Sequence, residues 1–314
     1  MSLDPKHTDL LAVCNVRGIS WELVAREAQR AGSISGLLRG EVHEKSGVAD
    51  AANRLLEASG GILDDHRSWV QEQHERAERA GARLVTVLDD DYPMNLRVIF
   101  NLPPFIYVLG SLVEADSRSV AVVGTRTPSA EGVSKAARMA RLLAERGVTV
   151  VSGLAKGVDA SAHAGCLEAG GRTVAVMGTG ILNRYPKENT ALADRIAAQG
   201  ALISQFWPDA PPRSHNFPMR NVVTSGISQG TVVIEASSTS GAKMQARLAI
   251  EHGKLVFLLD SLVMNQPWAR DYVARHGRRI VVVRSVDDVI DHLRSAEQVD
   301  ELTSQRRQLA FDLA

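Results

Sequence analysis

The chain has 314 residues, 45% of them hydrophobic, and its 36 basic residues are balanced by 36 acidic ones. That length can bury a sizeable core, and zero net charge means that a polyanionic partner has to be met by a local cluster, not by a global field. No run of about 18 apolar residues is present to span a membrane, the N-terminus lacks the basic-then-apolar layout of a signal peptide, and Cys14 and Cys166 stand far apart without metal-ligand spacing. These features read as a cytoplasmic chain with no membrane, metal or cofactor requirement.

Residues 1–78 carry helical spacing and no strand signal, and read as a small N-terminal helical domain of the SAM or helix-hairpin-helix kind. Leu10, Leu11 and Val13, then Trp21, Leu23, Val24 and Ala28, suit two short helices around Gly18. Only one glycine marks that turn where a DNA-binding hairpin would want two, so packing is the expected role. Residues 66–82 form a charged helix with a solvated face. A strand over Arg83–Leu88 then meets Asp89-Asp90-Asp91-Tyr92-Pro93, where the proline makes a turn the expectation over a metal site. Another strand runs from Phe105 to Leu109.

Residues 79–295 read as an extended Rossmann-like domain, an α/β doubly wound parallel sheet. The apolar runs Val120–Val123, Thr149–Val151 and Thr173–Met177 each end in a glycine-bearing turn, with helical patterns between them. One helix, about 130–146, should bury Val133, Ala136, Ala137, Ala140, Leu143 and Ala144; the next opens near Asp159 and carries Ala162, Cys166 and Leu167 inward. A helix at about 189–199 precedes a strand at Ala201–Ser204. The proline-rich stretch Pro208–Pro218 reads as a long functional loop. Strands at Thr231–Glu235, Leu255–Leu259 and Ile280–Val283 follow, with a helix over 241–252 and a closing helix capped at Ser285–Asp288. Residues 296–314 read as a polar, fraying tail that leaves no room for a winged-helix domain.

In parallel sheets ligands sit beyond the carboxyl ends of the strands, so the glycine turns should cluster at the site. They are Gly124-Thr125-Arg126, Ser152-Gly153-Leu154-Ala155-Lys156-Gly157 and Gly178-Thr179-Gly180, joined by Ser240, Gly241 and Lys243 at a later helix start. Glycine lets the backbone approach a ligand, helix N-termini offer amides, and Arg126 and Lys156 add charge, a phosphate-binding combination. Arg126 and Lys156 could instead be surface residues pairing with Asp159 and Glu235. Glu235 is the one obvious candidate acid or base, and His163 suits an ion pair with Asp159 four residues earlier. No turn reads GxGxxG with its acidic partner and no Walker lysine is present. Few aromatic residues fall near this crevice, so base stacking should contribute little.

These motifs resemble the DprA/Smf family of DNA-processing proteins, from about Asp9 to Leu293. Gly124-Thr125-Arg126 is similar to the family's GSR turn, and Ser152–His163 to its SGxAxGID-xx-AH stretch. Gly178-Thr179-Gly180 with Tyr185-Pro186, Phe217-Pro218-Met219-Arg220-Asn221, Glu235-Ala236 and Ser240-Gly241 follow in family order. The resemblance implies the extended Rossmann fold of the superfamily that includes LOG phosphoribohydrolases. It also implies single-stranded DNA binding without catalysis, homodimerisation, and delivery of the recombinase RecA during natural transformation and recombination. The DNA pocket would involve Arg126, Lys156 and a Phe217–Asn221 loop. Departures are Gln205 for the family's glutamate, Val222 for a second arginine, and altered 240–246 and 259–268 segments. Val222 would remove one phosphate contact. The alternative is a small-nucleotide sensor or LOG-like hydrolase, or a diverged defence paralogue, although Gln245 stands where the hydrolase's acid would be.

Overall fold

The runs of consecutive apolar residues at 119–123, 149–152 and 173–176 form strands buried on both faces, as a parallel sheet covered by helices requires. The computed structural model describes residues 3–58, 63–295, 297–299 and 301–302. Helices α1 (Pro5–Asn15), α2 (Trp21–Ala31), α3 (Ser35–Leu38), α4 (Gly47–Ala58) and α5 (Leu63–Arg79) lead into β1 (Ala82–Thr86), α6 (Met94–Arg97) and β2 (Phe105–Gly110). The central alternation is β3 (Ser119–Val123), α7 (Ala130–Glu145), β4 (Thr149–Ser152), α8 (Val158–Glu168), β5 (Thr173–Val176), α9 (Thr190–Gln199) and β6 (Ala201–Ser204). It continues through α10 (Asn216–Ile227), β7 (Gly230–Val233), α11 (Gly241–Glu251), β8 (Leu255–Leu259), α12 (Asp260–Asn265), α13 (Pro267–His276), β9 (Ile280–Val283) and α14 (Asp287–Ile290).

The nine strands form one sheet in the order β1-β2-β6-β5-β4-β3-β7-β8-β9. Seven are parallel, and the order reverses between β3 and its neighbours β4 and β7, the switch point at which such sheets bind ligands. The two strands placed at 83–88 and 105–109 extend this doubly wound core antiparallel, β2 on β6 and β1 on β2. Their direction was not legible from periodicity, because a two-stranded hairpin and a crossover carry the same apolar pattern.

Helix α7 starts at Ser129, whose Oγ accepts the Gly132 amide at 3.0 Å, an N-cap bond. It buries Gly132, Ala136, Met139, Ala140 and Leu143, whereas Val133 is 42% exposed and Ala137 and Ala144 are only half-buried. The buried stripe is therefore rotated from the expected one, and Met139 replaces Val133 on it. Leu10, Leu23, Val24 and Val70 of the N-terminal helices share an apolar cluster with Phe105, Val108 and Leu202 of the sheet. Trp207 is sandwiched there, its ring centroid 4.9 Å from Phe105, 5.0 Å from Trp69 and 5.8 Å from Trp21.

The largest difference from expectation is α10. Its first six residues are Asn216–Asn221, so Phe217–Asn221 is helix and not loop. The segment has weak helix formers, including Val222, Val223, Thr224 and Gly226, and lacks a side-chain N-cap bond. Burial decides instead: Val223 through Ile227 are all buried, and Pro218 falls in the first turn, where its missing N–H is tolerated. Helices α12 and α13, in the stretch 260–276 that carried no expected element, pack Leu262, Trp268 and Ala269 into the second apolar cluster, with Pro267 opening α13. The Asp89–Asp91 segment is a turn: the Asp89 carboxylate accepts from the Thr86 amide at 2.8 Å and from His7 at 2.7 Å. Among the described residues no acidic, histidine or cysteine cluster could hold a metal ion, and no helix is long and apolar enough to cross a membrane. Most of the expected tail, 303–314, lies outside the described residues.

Candidate nucleic-acid interface

The turns after β3 and β4, the first turn of α10 and the first turn of α11 converge on one face at the carboxyl ends of the central strands. They enclose a cavity of about 370 Å³ lined by Gly124, Thr125, Arg126, Gly153, Phe217, Arg220, Asn221, Ser240 and Gly241 among others. A second, of about 160 Å³, adjoins it and is lined by Arg126, Gly153, Lys156, Gly178, Tyr185, Phe217 and Arg220. Arg126 and Phe217 belong to both. The Arg126 guanidinium stands 5.2 Å from the centroid of the Phe217 ring, a cation–π pair, and the Tyr185 ring lies 5.7 Å beyond Phe217. The site thus carries a pair of aromatic rings, against the expectation of little stacking surface.

The cations differ in freedom. Arg126 is exposed and makes no ion pair among the described residues. Lys156 is also exposed and pairs with Glu188, in the one-turn 3-10 helix Lys187–Asn189, not with Asp159. Arg220 is 6% exposed; it donates to the Gly153 carbonyl, to the Val176 carbonyl at 2.9 Å and to Asn221 Oδ1 at 3.1 Å. Burial lowers its pKa, opposed by the nearby Asp159 charge. Burial in turn raises the Asp159 carboxyl, against the Arg220 charge and the amides of Gly153 and Ala155 that donate to it.

Two glycines read as openings for a ligand serve to seat α10 instead. A Cβ at Gly178 would stand 2.7 Å from the Phe217 ring, and one at Gly153 would collide with the Arg220 guanidinium. Gly157 has φ +77° and closes on the Thr125 carbonyl, so it shapes the turn without lining either cavity. Gly180 packs on the carbonyls of Trp207 and Pro208, and the Thr179 hydroxyl donates to the Asn183 carbonyl at 2.6 Å. Ser152 is buried, its hydroxyl donating to the Val122 carbonyl at 2.7 Å.

Other expected residues also stand apart. Glu235 accepts from the Ser129 hydroxyl at 2.8 Å and from its amide, bracing the start of α7; it neither lines the cavities nor meets Arg126. Lys243 points the other way, 5.9 Å from the Trp268 ring centroid. His163 is fully buried and bonds Thr173 Oγ1 at 2.7 Å, and burial together with the Arg220 charge holds its pKa down to about 3, so it is neutral and forms no ion pair with Asp159. Val222 is half-buried against the first apolar cluster and lines neither cavity, so an arginine there would not meet a phosphate in this pocket without repacking. The Gln245 amide is buried, with its nitrogen placed to donate to the Asn221 carbonyl and its oxygen to accept from the Ser225 amide. Sequence reasoning undervalued Tyr185, Met244 and Ser237. Only Tyr185 had a signal, the Tyr-Pro pair just after the third glycine turn.

The family profile of DNA recombination-mediator protein A matches residues 83–294. Smf from Synechocystis is 34% identical over 79% of this chain and 63% of its own length; DprA from Bacillus subtilis is 31% identical over 68% of this chain and 72% of its own. The chain thus spans roughly two thirds of the length of these relatives. The crystal structure of DprA from Streptococcus pneumoniae superposes with a TM-score of 0.72 at 26% identity, covering 94% of this chain and 99% of that one. DprA from Helicobacter pylori, whose structure was described for its single-stranded DNA binding mode, gives 0.59 at 25% identity over 67% of this chain and 94% of that one. With two thirds of the sequence matched by the profile and the fold shared with the pneumococcal protein over 94% of the chain, this chain belongs to the DNA recombination-mediator protein A family.

Proposed function

We propose that the chain binds single-stranded DNA at the paired cavities, with a base against Phe217 and Tyr185 and adjacent phosphates at Arg126, Lys156 and the first turn of α11. The observation that carries this reading is the Arg126–Phe217 pair shared by both cavities. It sets a bidentate phosphate ligand beside a π-face that accepts any base, the combination that sequence-tolerant single-strand binding uses. The relative from H. pylori supports the same ligand. Binding without catalysis fits as well, because Gln245 holds the place of the hydrolase's acid and its amide is already engaged by backbone. Family membership supports a cytoplasmic role in DNA processing during transformation or recombination, RecA as a partner and a homodimer as the working form.

Fluorescence anisotropy tests the ligand. Labelled oligo-dT should bind at low salt, duplex of equal length should bind more weakly, and affinity should fall steeply as salt rises. Oligo-dT that fails to bind, with saturable binding of a free mononucleotide, would move the chain to the small-nucleotide reading. The 370 Å³ cavity is the observation that favours that second reading, since it falls in the size range of small-ligand pockets.

A further inference from the structure

Lys156 is placed to meet a phosphate, yet its ammonium already holds an anion. Its partner Glu188 stands on the 3-10 turn Lys187–Asn189, directly after Tyr185-Pro186. That turn is fixed to the site independently of the ion pair, because Asn189 Nδ2 donates to the Leu154 carbonyl at 2.9 Å. Tyr185, Pro186 and Lys156 line the second cavity, so the ion pair holds the carboxylate against a residue of its wall. Both side chains are about half exposed, which leaves the pair open to competition from solvent anions. The hydrogen bond from Lys156 also holds the Glu188 carboxyl below its ordinary range, so it stays ionised at neutral pH.

Charge in the site gives this pair its weight. Arg220 is buried and faces the buried Asp159, and Lys156 faces Glu188, which leaves Arg126 as the cation without an acidic partner among the described residues. We propose that Glu188 is an affinity-setting residue, an internal competitor whose carboxylate occupies the position on Lys156 that a DNA phosphate takes on binding. A strand that docks then exchanges one anion for another at Lys156 and gains little from that lysine. Its net electrostatic gain comes mainly from Arg126, and the protein stays a moderate binder that releases its strand readily. This rests on the single-strand reading of the same site.

The test is a double-mutant cycle on the full chain with labelled oligo-dT, using Glu188→Gln, Lys156→Met and both together. Both positions are exposed, so all three variants should melt like the parent. Glu188→Gln should tighten binding by about threefold at low salt, the scale of one exposed ion pair. It should also steepen the dependence of log K on log salt by up to about 0.7, one phosphate on a single strand. Lys156→Met should cost little in the parent but remove the whole gain in the Glu188→Gln background. Equal affinity and salt slope for Glu188→Gln and parent would overturn the proposal. So would a gain that persists without Lys156, because Glu188 would then act by general repulsion. A parent that binds no oligo-dT sinks the single-strand reading itself, a separate outcome from a parent that binds and a glutamine variant that binds no better.

Discussion

Arg126 and Arg220 line the same two cavities and divide the work of the site between them. Arg126 leaves a strand end, is exposed and rests on the Phe217 ring; its fork is available to an incoming anion. Arg220 is buried, and its donors are taken by carbonyls of β4's turn and of β5, and by Asn221. One arginine faces the cavities with its fork open to solvent, and the other builds the wall that holds Phe217 in place. Sequence position cannot separate them, since both sit in motifs that favour phosphate. Burial can, because a guanidinium that has exchanged water for fixed carbonyls has little left to offer a phosphate.

Replacing Arg220 has the largest expected effect. Arg220→Met should destabilise the fold by about 1–3 kcal/mol, the scale of leaving buried acceptors without a donor, because the Gly153 and Val176 carbonyls lose theirs. Chemical denaturation measures it, and a loss under about 1 kcal/mol would mean that Arg220 is not structural. Arg126→Ala should behave oppositely. It should keep the parent's melting curve while weakening oligo-dT binding by about 2 kcal/mol, the scale of a charge-assisted hydrogen bond, with Arg126→Lys restoring part. Phe217→Leu, which keeps the packing but not the π-face, should cost about 1–2 kcal/mol of binding with little change in salt slope.

A carboxylate outside the site follows the buried pattern. Burial raises Asp89, but the His7 hydrogen bond and the Thr86 amide outweigh it and hold its pKa near about 2, below the ordinary 3.8. The unfolded chain therefore takes up this proton first as pH falls. The stabilisation is complete above about pH 5 and is lost as pH drops through 2, by about 2 kcal/mol in all. Acid titration of stability should show that loss, and Asp89→Asn should lack it. The smallest effect is expected at Val222: its replacement by arginine should cost about 1 kcal/mol of stability, from lost apolar burial, and leave the salt slope of DNA binding unchanged. A steeper slope would put position 222 at the phosphates after all.

The strands and the turns of the site were legible in the sequence because their residues encode local geometry. Val120–Val123 is short, rich in valine and closed by a glycine, which reads as a strand buried on both faces, and glycine at 124 and 157 marks close approach. What escaped depends on contacts distant in sequence. Helix α10 is held by its buried face against α6 and the sheet, not by propensity, so its first residues, 216–221, read as loop. Gly153 and Gly178 signal that something comes close, but not that it is Arg220 and Phe217 rather than a ligand. Glu235 and Lys243 sit at strand and helix ends near the crevice, and only their rotamers turn them toward Ser129 and Trp268.

The most direct test of the account is where a bound strand touches the protein. Oligo-dT carrying 5-iodouracil, irradiated in complex with the full chain and digested, should give cross-linked peptides containing Phe217 or Tyr185, and Phe217→Leu should reduce the yield at position 217. Cross-links confined to the N-terminal helices, or unaffected by Phe217→Leu and Arg126→Ala, would contradict the claim that the paired cavities hold the DNA.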